Sequence, residues 1–224
     1  CSSDLRSLTS VMIMFMNKTL FLSLLFLLPL FCDARQLNVS SLREGDMLFC
    51  VTDVAKADDF GRSIVESTKG VRSMKISHLA IVCEEDSGIC VLEATGDGVV
   101  MRTLDKFLVK RGTVLVGRLK GRFDSRCSVL RAKSHIGKAY DYLFSDTDDE
   151  FYCSELVQKS YVLKSGELVF SPIPMSFHGE DGAILNYWKE YYGKRGLDVP
   201  EGKPGSNPGA LSRDRRVKIY SLAK

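Results

Sequence analysis

The sequence lacks the spacings that metal and dithiol chemistry need. It has no CxxC, no HExxH and no two histidines at ligand spacing, and only three histidines in all. Asp146, Asp148 and Asp149 come without the glycine and closing glutamate of an EF-hand loop, so they read as a solvated acidic loop and helix lead-in. No metal or other cofactor is expected. Excess charge is missing as well: 31 Lys and Arg against 28 Asp and Glu leave +3, too mild to argue for a nucleic-acid partner. There is no internal repeat and no low-complexity tract. With 45% hydrophobic and 26% charged residues, the chain reads as a globular domain with a full core.

What is present begins with an apolar run, Leu20 to Phe31, behind Met16-Asn17-Lys18 and ahead of Cys32-Asp33-Ala34. A positive start, a short apolar core and a small residue after it form the pattern of a secretory signal peptide. The chain is therefore expected to be exported, periplasmic or extracellular, with 1–34 as upstream residues and signal and 35–224 as one domain. The run is short for a membrane span, and a retained anchor is the minority reading. Phe31 stands where a lipid-modified cysteine has a small residue, which argues against lipidation of Cys32. Cys50, Cys83, Cys90, Cys127 and Cys153 remain. Their odd number fits two disulfides plus one free thiol, and equally fits buried unpaired cysteines.

Strands are expected at Met47 to Thr52, Ile76 to Cys83, Ile89 to Thr95, Val99 to Thr103, Val114 to Leu119 and Val217 to Leu222, from β-rich apolar runs between turn residues. Helices are expected at Asp58 to Lys69, Thr103 to Lys110, Ser125 to Phe144, with Gly137 as a candidate break, and Ala183 to Tyr192. The second to fourth strands make a meander. A two- or four-residue first turn sets Cys83 opposite Cys90 and Ala80 opposite Glu93. Alternation then puts His78, Ala80 and Glu93 on one face, and the two cysteines, within the span a disulfide can bridge, on the other.

Phe151-Tyr152-Cys153-Ser154-Glu155-Leu156-Val157 puts a cysteine in the first turn of a helix that spacing extends toward Lys164-Ser165-Gly166, with the aspartates upstream as N-cap candidates. Unpaired N–H groups and the helix dipole favour a thiolate there, so Cys153 is a candidate nucleophile. A thiolate needs a base. His78 lies on a strand with Glu93 placed to orient its ring, the order of roles used by cysteine hydrolases. His135 reads as part of a solvated helix face. His178 follows Cys153 in the chain order of papain but lies in a loop. The bland alternatives are a packing cysteine, a core-edge histidine and a strand carboxylate near solvent.

Taken together, Glu44-Gly45-Asp46, Ile76-Ser77-His78-Leu79-Ala80-Ile81-Val82, Val91-Leu92-Glu93-Ala94, Gly137-Lys138-Ala139-Tyr140-Asp141 and Tyr152-Cys153-Ser154-Glu155-Leu156-Val157 resemble the circularly permuted, papain-like NlpC hydrolases, in their YiiX-like branch. The likeness runs from about Leu42 to Leu163. It implies an α+β papain-like fold, with a small antiparallel sheet packed on the helix that bears the cysteine. It also implies a Cys/His dyad with a third polar residue and a site tyrosine, which fall on Cys153, His78, Glu93 and Tyr152. The expected activity is hydrolysis of an amide in a peptide, N-acyl or cell-wall substrate, with the Cys153 N–H and the Tyr152 hydroxyl on the oxyanion. An acyltransferase or lipid esterase on the same triad, with peripheral membrane contact, is the competing enzyme reading. A secreted binding module is the non-catalytic one. Specificity is expected to lie after Leu163, where the likeness fades.

Overall fold

The computed structural model describes residues 36–109 and 111–223; the signal segment and Cys32 lie outside the described residues. The strands are β1 (Gln36–Asn38), β2 (Met47–Val51), β3 (Ile76–Glu85), β4 (Gly88–Thr95), β5 (Gly98–Thr103), β6 (Val114–Leu119), β7 (Ile173–Pro174), β8 (Pro204–Gly205) and β9 (Val217–Ala223). The helices are α1 (Asp59–Ser67), α2 (Leu104–Leu108), α3 (Ser125–Lys133), α4 (Cys153–Ser160), α5 (Asn186–Gly193) and α6 (Pro208–Ser212). Seven strands form one sheet in the order β1-β9-β6-β2-β3-β4-β5, antiparallel except where β1 runs beside β9. The fold is α+β as expected, and the meander makes up three of the seven strands of a wider sheet.

Alternation along the central strands decides what each face buries. Phe49, Leu79, Ile81, Cys83, Cys90 and Leu92 point into the main core, which Val129 of α3, Leu156 and Val157 of α4 and Leu211 of α6 complete. Leu48, Ala80, Val82, Val91 and Val116 point the other way, onto Leu104 and Phe107 of α2. The β3–β4 turn has two loop residues, and Cys83 pairs with Cys90 across it. Both thiols are buried and unbonded. Continued toward the other end of the strands, that register places Ala80 opposite Glu93. On the far side of β3 it breaks: Cys50 of β2 pairs with His78, but Val51 pairs with Ile76. Ser77 is therefore the extra residue of a β-bulge, which bends the strand and re-aims the side chains beside it.

Two helices are shorter than their sequence periodicity suggests. α3 ends at Lys133 rather than Phe144, because Gly137 takes φ +90 and its N–H goes to the Val99 carbonyl, starting a stretch that runs along β5. α4 stops at Ser160. Tyr161 is extended, with its hydroxyl donating to the Gly45 carbonyl at 3.0 Å, and Val162 bridges to Leu168. Aromatic and β-branched residues with tertiary partners here outweigh helical spacing. Nor do the aspartates cap α4. Tyr152 is the N-cap, its N–H donating to Glu155 Oε2 at 3.4 Å, while Asp146 and Asp148 pair with Lys159 further along the same helix.

A third cluster lies away from the sheet. Met175, Phe177, Trp188 and Tyr192 pack with Phe60 and Ile64 of α1 and with Phe144, and Trp188 Nε1 donates to Ser67 Oγ at 3.0 Å. α1, whose role the sequence leaves open, is thus a packing helix that carries one wall of the site. Its N-cap is Asp58, which accepts from the Gly61 N–H at 2.8 Å.

Gly98 is the joint between the sheet and the segment leading to α4. It has φ +87, and a Cβ there would sit 2.4 Å from the Lys138 carbonyl oxygen. Gly98→Ala is expected to lower stability by about 2–4 kcal/mol, from backbone strain and the clash together. Gly112→Ala meets nothing within 4 Å and should change stability by less than about 0.5 kcal/mol. Urea denaturation of both variants checks this; equal midpoints would show that the joint is not strained.

Candidate active site

Cys153 opens α4 on the main-core face of the sheet and is 5% exposed. His78 sits next to the bulged Ser77 on β3. Cys153 stands close enough to His78 to be among the groups that raise its pKa, and Cys153 Sγ lies 3.9 Å from the Ser77 carbonyl oxygen. His78 Nε2 is 2.6 Å from Glu93 Oε2, which leaves Nδ1 as the ring nitrogen for the thiol. By strand alternation alone, His78 would face away from the helix carrying Cys153. The register break at Ser77 accounts for their meeting.

Glu93 is 3% exposed, and a buried carboxylate is sustained only by partners. Besides His78 it accepts from Arg102 Nε at 3.0 Å and from an Arg111 terminal nitrogen at 3.4 Å. Burial pushes the Glu93 carboxyl up, but the bond to His78 and the charges of His78, Arg111 and Arg102 outweigh it and hold the group below the usual carboxylate range. For His78, burial lowers the pKa, while hydrogen bonds and charge from Cys153 and Glu93 raise it, and the balance stands at about 9. At neutral pH the ring is an imidazolium beside the Glu93 carboxylate, an arrangement that suits proton donation to a leaving amine.

The structure thus brings Cys153, His78 and Glu93 together and leaves the other histidines out. His178 Nδ1 pairs with Glu201 at 3.2 Å in a separate groove. His135 is not on a solvated helix face. It lies beyond the end of α3, half-buried, its ring 4.3 Å from that of Phe151, with its pKa lowered by burial and by Lys138 and Arg131. Tyr152 is buried, and its hydroxyl accepts from the Ser206 N–H at 2.9 Å, which fixes the start of α4 against the segment after β8.

The sequence reading gave Tyr140 no role, yet it lies against Cys153. Burial first, and then the charge of Cys153, push its hydroxyl well above the ordinary tyrosine range, so it stays protonated and able to donate. Its signal was its place in a recognised motif, with nothing in the spacing to link it to the cysteine. The wall beside Cys153 was equally hidden. A cavity of about 50 Å³ is lined by Cys153, Tyr140, Phe144, Met175, Phe177 and Trp188, the last three from the segment where the likeness fades. Ile64, Ser77 and Tyr140 also line a second, open groove of about 540 Å³ that contains His78.

Comparison with known proteins agrees with this geometry. A family model described as a permuted papain-like amidase enzyme, YaeF/YiiX, C92 family, matches residues 41–178. The uncharacterized protein YiiX of Escherichia coli K12 is 29% identical over 150 residues, which span 65% of this chain and 66%, just under two thirds, of that protein. A crystal structure described as the metalloprotein YiiX of Escherichia coli O157:H7 superposes with a TM-score of 0.64 at 24% identity, covering 81% of this chain and 97% of the other. At that identity the likeness speaks for the fold.

A histidine pKa raised in the folded state contributes stability that is complete below its unfolded value, near 6.5, and is lost as pH rises through the folded value, about 9. The His78 ring resonance should accordingly titrate near pH 9. In Glu93→Gln one source of the upward shift is gone, so the midpoint should move to lower pH; so should that of Cys153→Ala. NMR titration reads all three proteins. A wild-type midpoint near 6.5, or one unmoved by Glu93→Gln, would dismiss the ion-pair arrangement.

Proposed function

Because the chain belongs to the permuted papain-like amidase family of YaeF and YiiX, we propose that it is a cysteine amidase in which Cys153, His78 and Glu93 carry out amide hydrolysis. The observation that carries this reading is the 2.6 Å contact between His78 Nε2 and Glu93, which turns the other face of the ring to Cys153. Cys153 Sγ attacks the carbonyl carbon. The developing oxyanion is met by the Cys153 backbone N–H at the start of α4. The second donor is expected at Tyr152, whose oxygen accepts from Ser206 and which keeps its own proton to give, with Tyr140, protonated and lining the same cavity, beside it. As the C–N bond breaks, the His78 proton passes to the leaving amine. Water then attacks the thioester, His78 takes its proton, and the acid departs from the restored thiolate.

The cavity beside Cys153 is apolar and small. A water occupies roughly 10–15 Å³ of such space, so about 50 Å³ suits a short acyl group or an aliphatic side chain. This favours amides of peptides or short N-acyl groups over the long chains of a lipid esterase or acyltransferase. The metal named in the description of the Escherichia coli structure has no evident seat here. Among the described residues no three His, Cys, Asp or Glu side chains are grouped to hold one, and no step is routed through a metal. Export is part of the proposal and rests on the apolar run from Leu20 to Phe31.

Release of free amine from glycine amides, with acyl groups from acetyl through isovaleryl to palmitoyl, tests the reading. Isovaleryl should be cleaved best and palmitoyl least. Cys153→Ala should abolish release, and His78→Ala should lower it by about 10²–10⁴-fold. Glu93→Gln should cost less, because an amide oxygen can still accept from the ring. Full activity in a folded Cys153→Ala protein would end the proposal.

A further inference from the structure

The two cavities at the site hold different partners of the mechanism. Cys153 lines the small apolar one, His78 lines the larger groove, and Ile64, Ser77 and Tyr140 line both. Covalent chemistry gives this division a direction. After attack, the acyl half of the substrate is bonded to Cys153 and stays on its side. The amine half takes its proton from His78 and leaves through the groove. At about 540 Å³ the groove falls within the roughly 300–1,000 Å³ of sites that hold small molecules.

Aromatic rings set the character of that groove. Phe60, Tyr140, Tyr142, Tyr187 and Tyr191 line it, and they run as an unbroken series. Tyr140 meets Tyr142 edge-on at 4.8 Å, Tyr142 meets Phe60 at 6.4 Å, Phe60 meets Tyr191 at 5.9 Å, and Tyr191 stacks on Tyr187 at 5.8 Å. The series thus leads from the residue shared by both cavities out to α5. Tyr142 is 47% exposed and the other four are half-buried, so ring surface is left uncovered in a groove that also contains the proton donor. The rings are held in place. The Tyr191 hydroxyl donates to the Tyr142 carbonyl at 3.1 Å, and the Tyr142 hydroxyl lies so close to the β4–β5 turn that a Cβ on Gly96 would come within 2.9 Å of it. A surface fixed in advance costs a ligand less to engage.

Ring surface can receive a cation or another ring. The cation's place is already filled by the chain, since the Arg195 guanidinium lies over the Tyr191 ring at 3.9 Å and donates to the Tyr191 carbonyl. What remains suits a further ring, edge-on or offset-stacked. We propose that the groove seats the leaving amine and that this amine carries an aromatic ring, received by Tyr142, Tyr187 and Tyr191, with the short apolar acyl group on the Cys153 side. The substrate class is then a short-chain N-acyl arylalkylamine or a peptide bond with an aromatic residue on its amine side, which share that chemistry. The inference deepens the amidase reading above and rests on it. Hydrolysis consumes one water, breaks the C–N bond, and gives the acid and the aromatic amine.

Four probes test this on the full chain: isovaleryl-phenethylamide and acetyl-valyl-phenylalanine amide, each against its analogue with cyclohexyl in place of phenyl. The cyclohexyl ring is at least as apolar and nearly the same size, so burial alone gives phenyl no advantage. The phenyl probes should be preferred by about fivefold in kcat/KM. Whichever phenyl probe has the higher kcat/KM identifies an acyl-amine or a peptide source. The phenyl-to-cyclohexyl ratio should fall toward one in Tyr187→Leu or Tyr142→Leu, whereas damage to the fold alone would slow both probes and leave the ratio unchanged. Equal rates on phenyl and cyclohexyl in the wild type, or a ratio that survives both substitutions, would overturn the inference and leave the amidase reading standing. If no probe is cleaved, calorimetry on Cys153→Ala decides the matter separately. Tighter binding of the phenyl probes, lost when Tyr187→Leu is added, supports the assignment; equal binding, or none, overturns it.

Discussion

One buried carboxylate governs the geometry of the site. Glu93, on β4, draws in His78 from β3, Arg102 from β5 and Arg111 from the loop after α2. A carboxylate at 3% exposure without these cations would either take up a proton or destabilise the fold. With them it stays charged, and its charge keeps the imidazole protonated and aimed. The catalytic proposal and the stability of this end of the sheet therefore draw on the same interaction. A change at Arg102, which does not reach Cys153 at all, should be felt at the thiol through the carboxylate and the ring.

The core and the chemistry sit on different kinds of support. The sheet and α4 are held by apolar alternation, by the buried Asp46–Arg118 pair at 2.7 Å and by the Tyr161 hydroxyl on the Gly45 carbonyl. The substrate walls come from elsewhere: α1, the 140–144 stretch, and the aromatic cluster of Phe177 and Trp188. The two supports meet at Ser206, which lines the cavity and also bonds Tyr152 at the start of α4.

Much of this was legible in the sequence, for physical reasons. Strand alternation and a short turn fixed the β3–β4 register, and with it the neighbourhood of Cys83 and Cys90 and the proximity of His78 and Glu93. A cysteine at a helix start beside a strand histidine pointed to the nucleophile and its base. Three things were hidden. Helical spacing from Ser125 onward and from Cys153 onward continues past the true helix ends; Gly137 marked the first interruption, but Tyr161 obeys a tertiary partner that periodicity does not contain. Tyr140 comes to the cavity of Cys153 only through the fold. Most of all, alternation taken literally points His78 away from α4, and no local property of Ile76-Ser77-His78 announces that two of its residues will oppose one.

That extra residue makes the active site a matter of counting. Hydrogen bonds of the ladder resume on both sides of Ser77, so β3 could close up without it, and Ile76, Leu79 and Ile81 could still fill the core. What would be lost is the half-turn that delivers the imidazole to the sulfur. An in-frame deletion of one codon here is thus a different kind of lesion from a substitution in the core. It would leave all three reactive side chains intact, His78 still beside Glu93 but turned from Cys153, so that in this stretch chain length, more than residue identity, is what heredity has to preserve.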